Sequence, residues 1–149
     1  MPILCEIVTQ ERLVYSSQAD MIIVDGSEGR MGILPNHAPL LTTLKISELR
    51  VKSGDIEEVF ALGGGVLEVR RDRVTVLADV AEHADEIDLE RAQDARERAE
   101  IYLSKGKPVE TNRDVFREIT QALRKANIRL RVSAKRRGIS EPMDLAGSN

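Results

Sequence analysis

The chain has 149 residues, enough for one domain or two small ones. Its formal net charge of −3 argues against a protein that coats nucleic acid, because such proteins are strongly basic. Aromatic residues make up only 3% of the chain, while one cysteine and two histidines exclude an internal disulfide and leave little for a metal site.

The N-terminus has neither the basic stretch nor the apolar run of a secretory signal. No apolar run approaches the roughly 18 residues that a membrane-spanning helix needs. We therefore expect a soluble protein, or one that sits on a membrane complex without entering the bilayer. The lone Cys5 fits a reduced, cytoplasmic compartment, and its apolar-alternating strand predicts a buried, inert thiol.

The first 84 residues carry a net charge of −5 and are rich in β-branched residues punctuated by glycine. This composition favours short strands and turns, and no crossover helix separates them. We therefore expect an antiparallel sandwich or flattened barrel and no parallel sheet. The predicted strands cover residues 3–9, 12–15, 19–24, 32–34, 40–44, 48–52, 57–62, 66–69 and 73–78.

Two motifs within this half could carry chemistry. The glycine triplet at residues 63–65 lacks the Lys-Ser/Thr of a phosphate-binding loop, so we interpret it as a turn or bulge between strands. His37 lies between Pro35 and Pro39, which exclude a helix. No nucleophile or metal-ligand spacing accompanies His37, which favours a hydrogen-bonded loop histidine over a catalytic one.

From residue 88 the apolar period changes to 3.6, which predicts two helices. Asp88 is the expected N-cap of the first, which stops at residues 106–108, and the second runs from about residues 111–112 to Gly138. Their short connection predicts an antiparallel hairpin. The expected apolar stripes are Leu89, Ala92, Ala95, Ala99, Tyr102 and Leu103 on the first helix, and Phe116, Ile119, Leu123, Ala126, Leu130 and Ala134 on the second.

Charge is distributed unevenly over this second half, whose net charge is +2. Residues 85–100 hold seven acids and residues 124–137 hold seven basic residues and no acid, so antiparallel helices should attract each other. Exposed pairs contribute only about 0.2–1 kcal/mol each, so we expect a marginal hairpin that can open. The basic stretch is either a solvated face that pairs within the hairpin or a surface for phosphates or an acidic partner.

The loop at residues 27–41, SEGRMGILPNHAPLL, resembles the signature loop of the epsilon subunit of bacterial F-type ATP synthases. Residues 64–69 and 74–78 are similar to the end of that family's sandwich domain, and the hairpin follows in the expected place. The resemblance covers about residues 2–137.

The resemblance implies a sandwich domain over residues 1–86 that binds the rotor, a regulatory hairpin over residues 87–137, and a tail at residues 138–149 that we expect to be disordered. It implies a non-catalytic subunit of the rotor's central stalk, which couples proton-driven rotation of the c-ring to ATP synthesis. Its partners would be the gamma subunit, the c-ring and the catalytic alpha and beta subunits. The protein would be peripheral on the cytoplasmic face of the bacterial plasma membrane, with no required cofactor and no metal.

The resemblance also assigns contact residues. The c-ring contact falls on Ser27, Glu28, Gly29, Arg30 and Met31, and Arg30 departs from the acid that is frequent in the family. The gamma contact falls on His37, Ala38 and Pro39.

In that family the hairpin permits turnover when folded on the sandwich and blocks ATP hydrolysis when extended, through its basic second helix. The basic residues here are Arg124, Lys125, Arg129, Arg131, Lys135, Arg136 and Arg137.

Some bacterial members bind ATP as a regulatory ligand on the folded hairpin, and residues 87–92, IDLERA, match their motif. The implied ATP ligands are Glu82, Ile87, Asp88, Arg91, Ala92, Arg98, Lys125 and Arg129. Lys125 stands where those members have arginine, and it lacks the bidentate fork. The alternative is that these residues only cap and pair the helices.

Two other functions compete with this interpretation. The basic helix at residues 124–137 could bind nucleic acid, although the acidic sandwich and scarce aromatics argue against it. An enzyme would need its site near His37, where no partner residue is evident.

Overall fold

The structure is a computed structural model that describes residues 2–105 and 113–135. The predicted helix boundaries at residues 106–108 and 111–112, the residues from Arg136 onward and the predicted tail lie outside these residues. Eight strands are followed by a 3-10 turn at Ala84–Glu86 and two α-helices. The strands are β1 (Ile3–Val8), β2 (Leu13–Ala19), β3 (Met21–Gly26), β4 (Gly29–Ile33), β5 (Leu40–Ser53), β6 (Ile56–Val69), β7 (Arg73–Ala78) and β8 (Ala81–His83), and the helices are α1 (Leu89–Ser104) and α2 (Arg113–Ala134).

The strands form one sheet in the order β2-β1-β7-β6-β5-β3-β4, and β8 pairs with β6. Every pairing is antiparallel except that of β1 with β7, which is parallel. The predicted sandwich followed by two helices is confirmed, and the parallel pair is the exception to the antiparallel prediction. No crossover helix is needed because the five strands between β1 and β7 supply the long connection that a parallel pair requires.

Four of the predicted short strands are two long ones, β5 and β6. The pairing of β6 with β5, β7 and β8 keeps one register across the glycine triplet. The prediction of a turn or bulge is therefore wrong, and the triplet lies within a continuous strand. Gly64 and Gly65 adopt φ angles of +102° and +153°, which residues other than glycine rarely tolerate. On one edge, β6 pairs with β8 before the triplet and with β7 from Gly65 onward.

The core is a mainly aliphatic cluster to which all eight strands contribute, β8 through Ala81 alone. Phe60 is its largest fully buried side chain and makes an edge-to-face contact with Tyr15 at a centroid distance of 5.1 Å. The predicted burial of Cys5 is confirmed. Burial, with a smaller effect of the Glu6 charge, raises the pKa of the Cys5 thiol to about 12.

The two helices pack against each other, and the predicted N-cap of α1 is confirmed because the Asp88 side chain accepts a hydrogen bond from the Arg91 N–H. Of the predicted α1 stripe, Ala92 is fully buried but Leu89 and Tyr102 are exposed. Small residues therefore form most of the α1 contact, and larger ones at its ends project beyond it. Among the described helices none is long and apolar enough to cross a membrane.

Candidate functional site: where α2 docks on the sandwich

The second helix buries a face that the predicted stripe does not include. Ile128 and Val132 point to the sandwich rather than to α1, and Val132 is fully buried. They close an apolar cluster whose other members are Val59, Ala61, Ala84 and Ile87. Of the predicted α2 stripe, Ala126 is buried but Ala134 is exposed, so the prediction is wrong at the end of the helix. The second face was missed because its apolar residues are interleaved with arginine and lysine.

An arginine on this face pairs with the sandwich. The Arg129 Nη2 donates a hydrogen bond to Glu82 Oε2 at 3.2 Å, and Arg129 Nε lies 2.8 Å from Glu82 Oε1. Both side chains are about one quarter exposed. Glu82 comes from β8, so this ion pair joins α2 to the last strand before the hairpin.

A second ion pair lies at the end of the helix. The Lys135 Nζ donates to both Glu48 oxygens, at 2.9 and 2.8 Å, and Arg50 Nη2 donates to Glu48 Oε1 at 3.2 Å. Glu48 lies on β5 and its side chain is only 5% exposed. Burial acts to raise the pKa of the Glu48 carboxyl, but Lys135, Arg50 and Arg131 outweigh it and hold that pKa below its usual range. We call Ile128, Arg129 and Val132, together with Lys135 directly after the helix, the docking face of α2.

The basic residues of α2 pair with acids of the sandwich and not, as predicted, with the acids of α1. No ion pair joins α1 to α2 among their described residues. The α2 cations that form pairs contact sandwich carboxylates, and on α1 Arg96 pairs with Glu100 of the same helix at 3.2 Å. Sequence position alone pointed to helix–helix pairing, but the acids that α2 covers lie on β5 and β8.

A small open cavity of about 40 Å³ adjoins the docking face. Its lining consists of Ala61, Leu62, Gly63, Val80, Glu82, Lys125, Ile128 and Arg129. Three of these residues, Glu82, Lys125 and Arg129, belong to the predicted ATP ligands. The volume is about that of one water molecule, so a nucleotide requires movement of side chains or of α2.

The other predicted ATP ligands do not line this cavity. Ile87 lies in the neighbouring apolar cluster, and Ala92 is buried on α1. Asp88 caps α1, while Arg91 and Arg98 are exposed on that helix. The structure thus brings three of the eight together and gives three others structural positions.

The remaining basic residues of the predicted inhibitory helix differ in exposure. Arg124 and Arg131 are exposed and Lys125 is partly buried at the cavity. Arg136 and Arg137 lie outside the described residues. With Arg129 and Lys135 engaged by carboxylates, the docked helix presents only part of its positive charge to solvent.

The second histidine, which belongs to no sequence motif, lies at the junction of sandwich and hairpin. His83 Nε2 pairs with Glu58, and His83 Nδ1 accepts a hydrogen bond from the Asp85 N–H at 3.1 Å. Its ring also packs edge-to-face on Phe60. These contacts fix the direction in which the chain leaves β8.

The loop predicted to contact a c-ring forms the tip between β3 and β4. Glu28 is exposed at this tip, whereas Met31 packs against the core. Arg30 Nε donates to Asp25 Oδ1 at 3.0 Å across the hairpin. The unusual arginine is therefore neutralised locally, which leaves Glu28 as the tip's unpaired charge. Gly29 supplies a φ of +129°, and Ser27 lies 3.3 Å from the Thr42 hydroxyl.

The loop predicted to contact a gamma subunit follows β4. His37 Nδ1 donates to the Ala38 carbonyl at 2.7 Å, as expected for a hydrogen-bonded loop histidine. Asn36 N–H donates to the Arg71 carbonyl at 3.0 Å, which holds the loop beside the β6–β7 turn. Pro39 then leads directly into β5.

A row that is apolar except for Thr43 crosses the outer face of five adjacent strands. The register pairs Thr43 with Val66, Val66 with Leu77, Leu77 with Val8, and Val8 with Leu13. Directly paired residues share a face of the sheet. Leu13 and Leu77 are 54% and 52% exposed, and large apolar surfaces of this kind mark interaction sites. We call this set the outer apolar row. The sequence shows it only once the strand register is known.

Comparisons with known proteins assign both halves of the chain. Residues 3–84 match the beta-sandwich domain of the ATP synthase Delta/Epsilon chain, and residues 85–134 match its long alpha-helix domain. The ATP synthase epsilon chain of Dehalococcoides mccartyi is 48% identical over 132 residues, which is 89% of this chain and 92% of the relative. That of Herpetosiphon aurantiacus is 48% identical over 138 residues, which is 92% of this chain and 98% of the relative.

Solved structures give the same architecture. A chain in the Euglena gracilis mitochondrial ATP synthase structure, containing OSCP, F1 and the c-ring, has a TM-score of 0.71 at 23% identity. The alignment covers 85% of this chain and 78% of that one. A chain of the Tetrahymena thermophila central stalk and c-ring has a TM-score of 0.54 at 11% identity, covering 87% and 97%. At these identities the likeness shows the fold.

Proposed function

Because this chain belongs to the ATP synthase delta/epsilon family as an epsilon chain, we propose that it is a non-catalytic subunit of the rotor's central stalk. The match across both domains, at 48% identity to bacterial epsilon chains, carries this proposal. The subunit would be peripheral, on the cytoplasmic face of the plasma membrane, and would transmit c-ring rotation to the catalytic head.

The outer apolar row supports docking of the gamma subunit. It continues on the sheet from Leu41, which is 71% exposed and follows the His37–Pro39 loop directly. A central apolar contact with a polar rim is the usual anatomy of a stable interface. The β3–β4 tip, with Glu28 unpaired, is a separate surface at which the c-ring would bind.

The docked hairpin supports a regulatory role. Its docking face combines a small apolar cluster with two ion pairs, and such an element can exchange internal for external partners. Leaving the sandwich would free Arg129 and Lys135, which adds positive charge to a helix that already exposes Arg124 and Arg131. In the extended state this basic helix would meet acidic surfaces of the catalytic subunits and inhibit ATP hydrolysis.

Truncation tests both parts of this proposal. A chain ending at Ile87 keeps the sandwich, so we expect it to co-purify with gamma and the c-ring. The complex should hydrolyse ATP faster than one containing the full chain, measured at equal gamma content. Loss of co-purification of the full chain would contradict the rotor role. Equal hydrolysis rates would contradict inhibition by the hairpin but would leave the rotor role standing.

We also propose ATP as a regulatory ligand of the folded hairpin. Arg129, Lys125 and Glu82 lie together, and a guanidinium with an ammonium suits a phosphate chain. Because Arg129 is already paired with Glu82, phosphate binding would compete with that carboxylate. Arg91 and Arg98, exposed on α1, supply further cations if side chains rearrange around the nucleotide.

Calorimetry of the isolated full chain tests ATP binding. We expect heat of binding for the parent chain and a loss of about tenfold or more in affinity for Arg91→Ala, since a charged hydrogen bond is removed. Arg96→Ala, an exposed arginine on the same helix paired only with Glu100, serves as the matched control and should bind normally. No heat with the parent chain, or equal losses in both variants, would contradict the site.

A further inference from the structure

The Glu48 ion pair differs from the Glu82 ion pair in its surroundings. Glu48 is almost fully buried, whereas Glu82 is one quarter exposed and lines the open cavity. Breaking a buried pair by removing one partner costs far more than breaking an exposed one, because a charge remains desolvated. The contact at Lys135 therefore holds α2 more strongly than its single ion pair suggests.

The position of Lys135 on the chain adds to this effect. It lies six residues beyond Arg129, about 9 Å along the helix, so the two ion pairs hold α2 at separate points. Between them Val132 is fully buried against the sandwich. Only the pair near Glu82 adjoins the cavity proposed for the nucleotide, and the Glu48 pair is not part of its lining.

If α2 left the sandwich, Glu48 would lose some of its positively charged neighbours and keep one. Arg50 belongs to the same strand and remains, while Lys135 and the nearby Arg131 leave with the helix. Glu48 would lose both hydrogen bonds from Lys135 and keep only the one from Arg50. The carboxylate thus favours the docked helix, in which it has most of its partners.

We propose that Glu48 is a positioning residue that holds the last turn of α2 on the sandwich and sets the fraction of docked hairpin independently of the cavity beside Glu82. Its effect on ATP hydrolysis rests on the proposed function, but its effect on docking does not. Docking of α2 would thus depend on two ion pairs. The Glu48–Lys135 pair is buried at the C-terminal end of the helix, and the Glu82–Arg129 pair lies beside the cavity that a ligand could reach.

Hydrogen exchange on the full-length isolated chain tests the docking. Glu48→Gln and Lys135→Gln should each raise the exchange rates of α2 amides about tenfold or more, while exchange in β1 and β7 stays unchanged. Lys135→Arg, which keeps the charge, should restore slow exchange. Arg117→Gln, which removes an exposed cation of the same helix, is the matched control and should leave α2 exchange unchanged.

Two results would overturn the proposal. One is unchanged α2 exchange in Lys135→Gln, a variant at the helix end that leaves the sandwich core intact. The other is equal acceleration in Lys135→Arg, which would show that the shape of lysine and not the charge pair holds the helix. Combining Glu48→Gln with Lys135→Gln should add little to either single change, because both remove the same contact.

A hydrolysis assay separates this proposal from the proposed function. Faster α2 exchange in Glu48→Gln together with lower ATP hydrolysis by its complex supports both. Faster exchange with unchanged hydrolysis supports the role of Glu48 and contradicts inhibition by the extended hairpin. Unchanged exchange contradicts the role of Glu48 whatever the hydrolysis rate.

Discussion

At the residue scale, the pairing of β6 with β7 depends on glycine at one position above all. Gly65 has a φ of +153°, and a Cβ there would lie 2.8 Å from the Ala78 Cα and closer still to the Leu77 carbonyl oxygen. Those atoms belong to the backbone of β7, so no side chain can move aside to relieve the clash. The absence of a side chain is what allows β6 and β7 to pair at Gly65.

Gly65→Ala should therefore destabilise the sandwich severely, by about 3 kcal/mol or more, because overpacking and backbone strain add. The midpoint of urea unfolding measures this loss. Gly54→Ala is the control, since Gly54 has a φ of +61° but nothing within 4 Å of the added carbon. We expect a loss of about 1–2 kcal/mol there, from strain alone. Similar losses at the two positions would contradict the importance of the backbone clash.

At the scale of elements, local patterns could predict the type of each segment but not its partners. The strands, the α1 cap and the α1–α2 contact follow from periodicity and capping. The sequence predicts four short strands where the structure has β5 and β6, and only the break in β6 falls on glycine, at residues 63–65. The continuity of both strands comes from the register with their neighbours. The parallel β1–β7 pair leaves no local signal for the same reason.

For the candidate site, some of the residues could be predicted from the sequence, but their arrangement in space could not. The sequence selected Glu82, Lys125 and Arg129, which the fold brings together at the cavity. No sequence pattern singles out Glu48, because a glutamate in a strand is ordinarily solvated, whereas this side chain is only 5% exposed and pairs with Lys135 and Arg50. The charge pattern indicated that α2 seeks acids, but proximity along the chain named the wrong ones.

At the scale of the whole molecule, the ion pairs of α2 connect the helical half to the sandwich half, and none of those between described residues connects α2 to α1. The sandwich half is acidic and the helical half basic, and the ion pairs at Glu48 and Glu82 lie at their boundary. The outer apolar row shares no residue with the docking face or with the carboxylates that it contacts. The molecule therefore separates a surface suited to permanent assembly from one suited to reversible docking.

A pull-down with the gamma subunit tests this division. Leu77→Asp, in the centre of the outer apolar row, should weaken gamma binding about tenfold or more, since a buried leucine contributes about 1.5–3 kcal/mol. Leu89→Asp is the matched control, because Leu89 is similarly exposed but lies on α1. Equal binding by the two variants would show that gamma docks elsewhere.

The parallel β1–β7 pair also has a consequence for biosynthesis. The partner of β1 on that side, β7, begins at Arg73, so the ribosome must add more than sixty further residues after Val8 before the two strands can meet. At 5–20 residues per second this takes roughly 3–13 s. Throughout that interval β1 has an unpaired edge, which is a template for pairing with other chains. The nascent chain is therefore most exposed to aggregation before β7 emerges, and a chaperone that shields β1 would act in that window.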